Sequence, residues 1–532
     1  MNHAAQEQAV NRLVLLALSA FFVIGNFIWQ GHDSFNLWDE GFLWYGARQI
    51  IAGQVPIRDF MAYDPGRYYW AAGYFSLAGD TGIMALRASV AVFQVLGVYA
   101  GLWTISLALR AGAVRKLAFL CLSGLVLMAW MYPRHKIFDM SISMIIVAGL
   151  AYLLLAPNLK RYFLLGVIVG LAAVFGRNHG VYGAVASLTA MAWLAVRAPD
   201  PALRFKGLLS WGAGVAVGFL PVIALCMFVA GYFSAFMDTI VFMLEQGNTN
   251  LPLPIPWPWT VGFGTAGVVI ETRWFLIGLC FMALPAFGAA ALGWVFKERL
   301  RGRTVRPECV AVACATLPYA HFAFARADVG HLAQGIYPML LGVLILLATL
   351  KSWRWKLALT ALAASVSLFI LAAWQPGILA RTQAGWRQVE VSGSSLSMDA
   401  GTADAVQLLR DLAARYAPEG RAVLVLPFWP GAYPLLERDA PLWEIYALSP
   451  RSEDFQRAEI ERIKKANPGF VLVFNLAMDG REALRFSNSH RLMDDYIRAH
   501  FEPVQPTPDP AFQIYKALPA ADVDPAGEKA VD

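Results

Sequence analysis

Asn36-Leu-Trp-Asp-Glu-Gly-Phe-Leu-Trp-Tyr45 places two adjacent carboxylates, Asp39 and Glu40, directly after the first long apolar segment of the chain. A membrane helix that ends here opens into water at this acidic pair, framed by Trp38, Trp44 and Tyr45. Two readings follow. A carboxylate favours a helix N-terminus, where its charge meets unsatisfied backbone N–H groups, so the pair can cap a short interfacial helix. Alternatively, one of the two is a catalytic base, since titratable groups are placed together where proton chemistry is done.

The rest of the chain tells what surface the pair sits on. Of 532 residues, 58% are hydrophobic and only 15% charged, and the mean hydropathy is +0.51. No soluble domain buries that much apolar surface, so the composition defines an α-helical polytopic membrane protein. Val14 to Trp29 is followed by bulky Phe35-Asn-Leu-Trp38 and not by a small-residue cleavage site, so it reads as a retained first span. Further apolar runs predict spans near 12–30, 82–109, 117–132, 139–156, 162–176, 180–196, 208–230, 274–296, 308–324, 332–350 and 357–375, about eleven helices. Cys121, Cys226, Cys280, Cys309 and Cys314 lie in or beside these runs without metal-site spacing, and are expected as free, buried thiols. The net charge of +6 is no nucleic-acid signal, because much of the excess lies in short loops between spans.

Those loops give the orientation. Arg110, Arg115 and Lys116 share one; Lys160 and Arg161 the next. Arg197, Arg204 and Lys206, then Lys297 to Arg306, then Lys351, Arg354 and Lys356 follow on the same side. Basic loops stay cytoplasmic, so the N-terminus is expected inside and the C-terminal region outside.

Three outer loops are richer than connectors need to be. The first, 31–81, carries Ala47 to Ile51 and Tyr68 to Leu77, expected as short helices lying along the interface. The second holds Glu245-Gln-Gly-Asn-Thr-Asn250 and Leu251-Pro-Leu-Pro-Ile-Pro-Trp-Pro-Trp259, where alternating prolines predict a stiff, extended strand. The third holds Arg326-Ala-Asp-Val-Gly-His331. Beyond about 378 the composition changes. Helix-like Asp404 to Tyr416, strand-like Ala422 to Pro427, helix-like Phe455 to Ala466, strand-like Phe470 to Phe474, helix-like His490 to His500 and strand-like Phe512 to Lys516 predict a soluble α/β domain over 379–532. It shows no phosphate loop and no nucleophile elbow, and Ala520 to Asp532 reads as a polar, disordered tail.

The predicted spans carry almost no ionisable residues at mid-membrane, where ion-coupled transporters place theirs. Ionisable side chains gather instead at the outer ends: Asp39, Glu40, Arg58, Asp59, Asp64, Arg67, Arg134, His135, Lys136, Asp139, Arg177, His179, Arg326, Asp328 and His331. Such a ring suits a substrate with its tail in lipid and an anionic headgroup. Arginine offers a phosphate two parallel donors and lysine a point charge. Ordinary headgroup anchoring is the plainer account of Arg134 and Lys136, but basic residues are normally scarce in short outer loops. His179, in Gly176-Arg-Asn-His-Gly180, can equally be part of a polar turn.

Four stretches carry a resemblance. The acidic pair follows the first span; Gly53-Gln-Val-Pro-Ile-Arg-Asp-Phe60 and Tyr63-Asp-Pro-Gly-Arg-Tyr-Tyr-Trp70 come next; Arg134 to Asp139 lies between the third and fourth spans. Together, and more loosely with His331-Leu-Ala-Gln-Gly-Ile-Tyr-Pro338, they resemble the C-class integral membrane glycosyltransferases, in particular the protein O-mannosyltransferase and lipid A aminoarabinose transferase group. That group often has Pro-Pro-x-Tyr-Tyr where this chain has Asp64-Pro-Gly-Arg-Tyr-Tyr69. The resemblance covers the membrane region, 1–378 with its large first periplasmic loop, to about residue 350.

It implies an inverting transferase that moves a sugar from a polyprenyl-phosphate donor to a hydroxyl on a glycan, lipid A or a protein. Asp39 would take the hydroxyl proton, and Glu40 would orient the acceptor or hold a cation. Arg134, Lys136, Arg326 and His331 would meet the leaving phosphate. Asp64, Arg67, Tyr68, Asp139 and His179 are the candidate substrate-binding residues. Some relatives bind a divalent metal, and no ligand spacing here identifies one. The expected place is the bacterial inner membrane, with the C-terminal domain in the periplasm. A transporter or flippase for a lipid-linked sugar, and a non-catalytic scaffold, are the competing readings; the lack of mid-span charge argues against the transporter.

Overall fold

The computed structural model describes residues 3–110, 112–197, 201–247 and 250–518. The polar tail from Ala520 lies outside them, as do Asn248 and Thr249 of the second outer loop.

The chain is mostly helical. It runs α1 (His3–Gln30), α2 (Asp39–Ile51), α3 (Gly66–Ala78), α4 (Ile83–Ala108), α5 (Ala113–Ala129), α6 (Ile137–Leu155), α7 (Leu159–Phe175), α8 (Arg177–Ala195), α9 (Pro201–Gly218), α10 (Leu220–Phe228) and α11 (Tyr232–Glu245). Then follow α12 (Val268–Leu300), α13 (Pro307–Ala325), α14 (Val329–Gly335), α15 (Tyr337–Thr349), α16 (Trp353–Leu371) and α17 (Pro376–Thr382). Two strands, β1 (Arg387–Val391) and β2 (Ser394–Met398), precede α18 (Ala400–Tyr416), β3 (Val423–Leu426), α19 (Ala432–Leu435), α20 (Glu453–Ala466), β4 (Phe470–Phe474), α21 (Phe486–Ser489), α22 (Arg491–His500), β5 (Phe501–Pro503) and β6 (Phe512–Ala517).

The chain forms two compact units, and the division is not a single cut. One unit is the chain to Ser34 with Tyr63–Ala384; the other is Phe35–Ala62 with the chain from Gly385 onward. A division into 1–378 and 379–532 leaves the first loop whole; the structure splits that loop.

In the first unit a helix stands at each of the eleven predicted spans. Among the described residues six are long and apolar enough to cross a membrane, and eight if the bent pairs α9–α10 (53°) and α14–α15 (58°) each count as one. The 17-residue α5 and α7 and the 19-residue α8 are not among these, so length and composition support fewer than eleven crossings. Helix α6 is the axis, with 83% of its apolar window buried. It contacts α4, α7, α8, α13 and α15. Helices α7 and α9 meet along Gly166, Gly170, Gly214 and Gly218, where a methyl on any of the four would strike the other helix's backbone. Small residues four apart let two helices approach closely where no hydrophobic force drives them together.

Three arginines close the end of α1. Arg87 donates to the carbonyls of Gly31 (2.7 Å) and Ser34 (2.7 Å). Arg134 donates to those of Gln30 (2.9 Å) and Asp33 (3.4 Å). Arg381 pairs with the Asp33 carboxylate at 2.7 Å. The last turn of a helix leaves carbonyls without partners, and cations there also meet the negative end of its dipole.

In the second unit the sheet order is β3-β4-β6-β5, with β3 and β4 parallel and β6 antiparallel to both its neighbours. Leu424, Leu426, Val471, Val473, Ile463, Met493 and Ile497 share its apolar core. The predicted strands at Ala422–Pro427, Phe470–Phe474 and Phe512–Lys516 correspond to β3, β4 and β6, and the predicted helices to α18, α20 and α22. Ser392 and Gly393 form the turn of the β1–β2 hairpin, with Ser392 (φ 47°) and Gly393 (φ 74°) both left-handed as a primed turn requires.

Helix α2 belongs to this second unit. It does not lie exposed along an interface as its sequence suggested: nine of its thirteen residues are buried. Gly41 faces Gly431, and the Gly431 N–H donates to the Leu37 carbonyl at 2.9 Å. Gln49 donates to Asp439 (2.7 Å), Arg48 to the Pro434 carbonyl (2.9 Å), and the Tyr45 hydroxyl accepts from the Ala440 N–H (3.1 Å). Apolar residues surround α2 on nearly every side, and a helix of that kind must be covered.

Candidate active site

Asp39 and Glu40 form the first turn of α2, and the structure separates them. Glu40 is buried, and one of its oxygens accepts the Asn36 N–H at 3.4 Å. Asp39 stays half-exposed, and its Oδ1 accepts the Tyr446 hydroxyl at 3.3 Å. The residue that caps the helix is Trp38, which has no side-chain cap. Trp38 instead stacks on Phe428, rings 5.4 Å apart and 11° from parallel. Of the framing aromatics, Trp44 and Tyr45 are core; burial also pushes the Tyr45 hydroxyl's pKa up.

The loop bearing Tyr446 is braced from below. Glu444 accepts from Arg451 (2.6 Å) and sits 2.9 Å from His490 Nε2, whose Nδ1 meets the Ser489 hydroxyl at 2.9 Å. The order Ser489, His490, Glu444 looks like a hydrolytic relay, but His490 is fully buried and Ser489 nearly so, which makes it scaffolding. Glu459 accepts the N–H groups of Trp443 (2.9 Å) and Glu444 (3.3 Å); burial pushes its carboxyl up against the pull of Arg462.

In the first unit the predicted substrate-binding residues do come together, as a buried knot. Arg67 lies 3.1 Å from Asp139, and the same Asp139 oxygen is 2.9 Å from His179 Nε2. The other His179 nitrogen meets the Tyr319 hydroxyl at 3.0 Å. Asp64 pairs with Arg177 at 2.7 Å, two residues before His179. Tyr68 is buried, and its hydroxyl accepts the Tyr63 N–H at 3.1 Å.

The four predicted phosphate ligands each have partners within the protein. Arg134 closes α1, as described. Lys136 lies over the Tyr63 ring, 5.2 Å from its centre. Arg326 donates to Asp328 (3.0 Å) and to the Leu251 carbonyl (3.0 Å). His331 holds Asp328 through Nδ1 (2.9 Å) and the Asn250 amide through Nε2 (2.7 Å). Burial opposes the charge on Asp328, but His331 and Arg326 prevail and keep its carboxyl below the ordinary range. This clasp joins the second and third outer loops. Among the described residues no three His, Cys, Asp or Glu side chains could hold a metal ion.

Tyr446, Tyr319 and Asn250 escaped the sequence reading, while Arg177 was counted in the ring of outer ionisable residues without an assigned partner. Tyr446 is 407 residues from Asp39 and nothing local marks it.

The fold is similar to that of a solved membrane protein. The particular structure that it resembles is ArnT from Cupriavidus metallidurans in the apo state, with TM-score 0.53, 15% identity, and 96% of this chain and 98% of that one covered. ArnT bound to undecaprenyl phosphate gives 0.49, with 12% identity over 96% and 99% of the two chains. The oligosaccharyltransferase AglB from Archaeoglobus fulgidus, in complex with an inhibitory peptide and a dolichol-phosphate, gives 0.44, with 12% identity over 93% and 73%. At 15% identity, what the chain shares with apo ArnT is the fold. No family model matches the sequence, and no curated protein does.

Proposed function

We propose that this chain is an inverting glycosyltransferase that moves a sugar from a polyprenyl-phosphate donor to a hydroxyl of a glycan, lipid A or a protein. The observation that carries the reading is the divergence of the acidic pair on a fold like that of ArnT: Glu40 is buried, while Asp39 is half-exposed and accepts the Tyr446 hydroxyl.

Asp39 removes the acceptor's proton as its oxygen bonds to the anomeric carbon. The bond from that carbon to the donor phosphate oxygen breaks, and the polyprenyl phosphate leaves with the electron pair. An alcohol is a poor nucleophile at neutral pH, so the proton must go during attack. The leaving phosphate gains charge, and fixed cations lower that barrier. Lys136 is the first candidate for this role, because Arg134 and Arg326 already donate to backbone carbonyls; His331 and Arg326 would hold the loops around the phosphate. Asp64, Arg67, Tyr68, Asp139 and His179 would serve as the scaffold that holds α3, α6 and α8 together. A divalent metal finds no ligand cluster among the described residues, so no step is routed through one.

The protein works as a multi-pass inner-membrane enzyme, N-terminus cytoplasmic, with a periplasmic α/β domain that shapes acceptor access; the alternation of basic loops supports this side. The test is single-turnover sugar transfer by purified protein carrying Asp39→Asn, with thermal stability measured beside it. A stable variant that transfers sugar at the wild-type rate removes Asp39 from the chemistry. Outer-side cysteine labelling that reaches residues 297–306 reverses the orientation.

A further inference from the structure

We infer that the acceptor is a carbohydrate, and that Trp38, Phe428, Trp429, Phe474 and Phe512 form the platform on which one of its pyranose rings stacks. This rests on the reading of the chain as a sugar transferase and names the acceptor class of that same site.

The rings come from distant places in the sequence and meet at one end of the sheet. Phe428 and Trp429 follow β3 after Pro427, Phe474 ends β4, and Phe512 opens β6, where it pairs with Phe474. Strands β3 and β4 are parallel, so this is their carboxyl end, where open α/β sheets place their ligands. Trp38 enters from the residue before α2 and stacks on Phe428 at 5.4 Å. Phe474 is the hub. Trp38 meets it edge-on at 6.1 Å, Trp429 lies 24° from parallel to it at 5.7 Å, and Phe512 is 5.3 Å away.

Two observations set this cluster apart from ordinary core. Trp38, Phe474 and Phe512 are only half-buried, so the cluster reaches the surface. Trp429 is 6% exposed, and its indole N–H has no acceptor among the described residues. A buried donor without an acceptor costs free energy, and a ligand hydroxyl beside it would supply one.

A pyranose matches what is offered. Its C–H groups carry partial positive charge, and the face of an aromatic ring is negative, so the two attract as they stack. Its hydroxyls need polar partners at the edge of the platform. Asn36 is exposed and accepts the Trp38 N–H at 2.9 Å, and half-exposed Asp39 directly follows Trp38. A sugar ring held at Trp38 therefore has a hydroxyl near the proposed base. A peptide serine or threonine offers no such face to stack. A membrane anchor would push its rings out into lipid, and none of these five protrudes.

The experiment uses the full-length protein in nanodiscs and soluble probes from the envelope of a deletion strain: oligosaccharides released by mild acid, and the deacylated disaccharide of lipid A. Saturation-transfer NMR reads which sugar C–H groups touch the protein, and titration gives Kd. At least one probe is expected to bind through its ring C–H groups, and which one does so tells a glycan from lipid A as the source of the ring. Phe512→Leu keeps apolar bulk and removes the ring. It should weaken binding by about 3- to 10-fold, the scale of one aromatic contact. The acceptor KM should rise by the same factor and the donor KM stay put. Phe512→Tyr keeps a ring and should bind like wild type. Trp38→Leu, at the other end of the platform, should weaken binding likewise and decides the matter if Phe512→Leu folds poorly. Binding of neither probe, or unchanged affinity in both leucine variants, overturns the platform and leaves the rings to the core or the membrane surface. If Asp39→Asn transfers sugar at the wild-type rate while Phe512→Leu still weakens binding, the reading of Asp39 fails and the platform stands.

Discussion

Two carboxylates near the start of helices, Asp39 and Asp139, received very different surroundings. Asp139 is 3% exposed and lies against the Arg67 guanidinium and the His179 ring. Asp39 is half-exposed and takes a phenol. The first arrangement neutralises a buried charge and fixes helices α3, α6 and α8 to one another. The second leaves a carboxylate partly open to solvent. The residue type is the same in both places; burial and ion pairing make Asp139 part of the scaffold, and the proposed reading gives Asp39 the proton.

Breaking each acid tests that contrast. The largest effect is expected for Asp39→Asn, which keeps shape and polarity but cannot take the proton. Single-turnover transfer should fall roughly 100- to 10,000-fold while thermal stability holds. Glu40→Gln should cost less turnover than Asp39→Asn.

Asp139→Asn should do the opposite. It leaves the buried Arg67 without its counter-charge, which typically costs about 3 to 5 kcal/mol. The melting temperature in detergent should drop sharply, and activity per folded molecule should change little. A variant as stable as wild type but inactive would move Asp139 from the scaffold to the site.

A smaller effect separates the two basic neighbours. Lys136→Ala should weaken donor use by about 1.5 to 3 kcal/mol, the scale of a charge-assisted hydrogen bond, without lowering the melting temperature. Arg134→Ala should mainly lower stability, because its guanidinium serves the carbonyls of Gln30 and Asp33. Equal donor kinetics in Lys136→Ala and wild type would remove Lys136 from the phosphate site.

The smallest effect concerns the Asp328 clasp. Its carboxyl is held below the ordinary range, so its contribution to stability is complete above about pH 4, the unfolded value, and is lost as pH falls through the folded one. Protection of the 250–260 backbone against hydrogen exchange, relative to the intrinsic rate at each pH, should therefore fall in acid. Asp328→Asn should exchange fast at every pH; an unchanged slope in that variant would place the titration elsewhere.

Much of the fold was legible because helix formation is local. An apolar run of sufficient length predicts a helix wherever it packs, and α1, α4, α6, α12 and α16 follow directly from theirs. The strands β3 and β4 were legible for the same reason, as short runs of buried β-branched and apolar residues. The hairpin at Ser392 was missed because Arg387 to Ser397 alternates weakly and is mostly polar. The site was legible only in part: the ionisable residues could be named as a set, but not sorted into those that pair with each other and those left for a substrate.

What the sequence determined by itself is the class of molecule: the composition demands a membrane, the apolar runs demand helices, and the acidic pair after the first span marks a position worth examining. What the tertiary structure decided is which partner each charge received. Residues 35–62, continuous with the membrane part in sequence, fold with the chain beyond Gly385, because nine of the thirteen residues of α2 are buried and its Arg48 and Gln49 find their partners there. Asp39 meets Tyr446 and Arg134 meets two carbonyls for a related reason. A hydrogen bond needs its atoms within about 3 Å, and a separation of 407 residues is closed only by docking whole elements against one another.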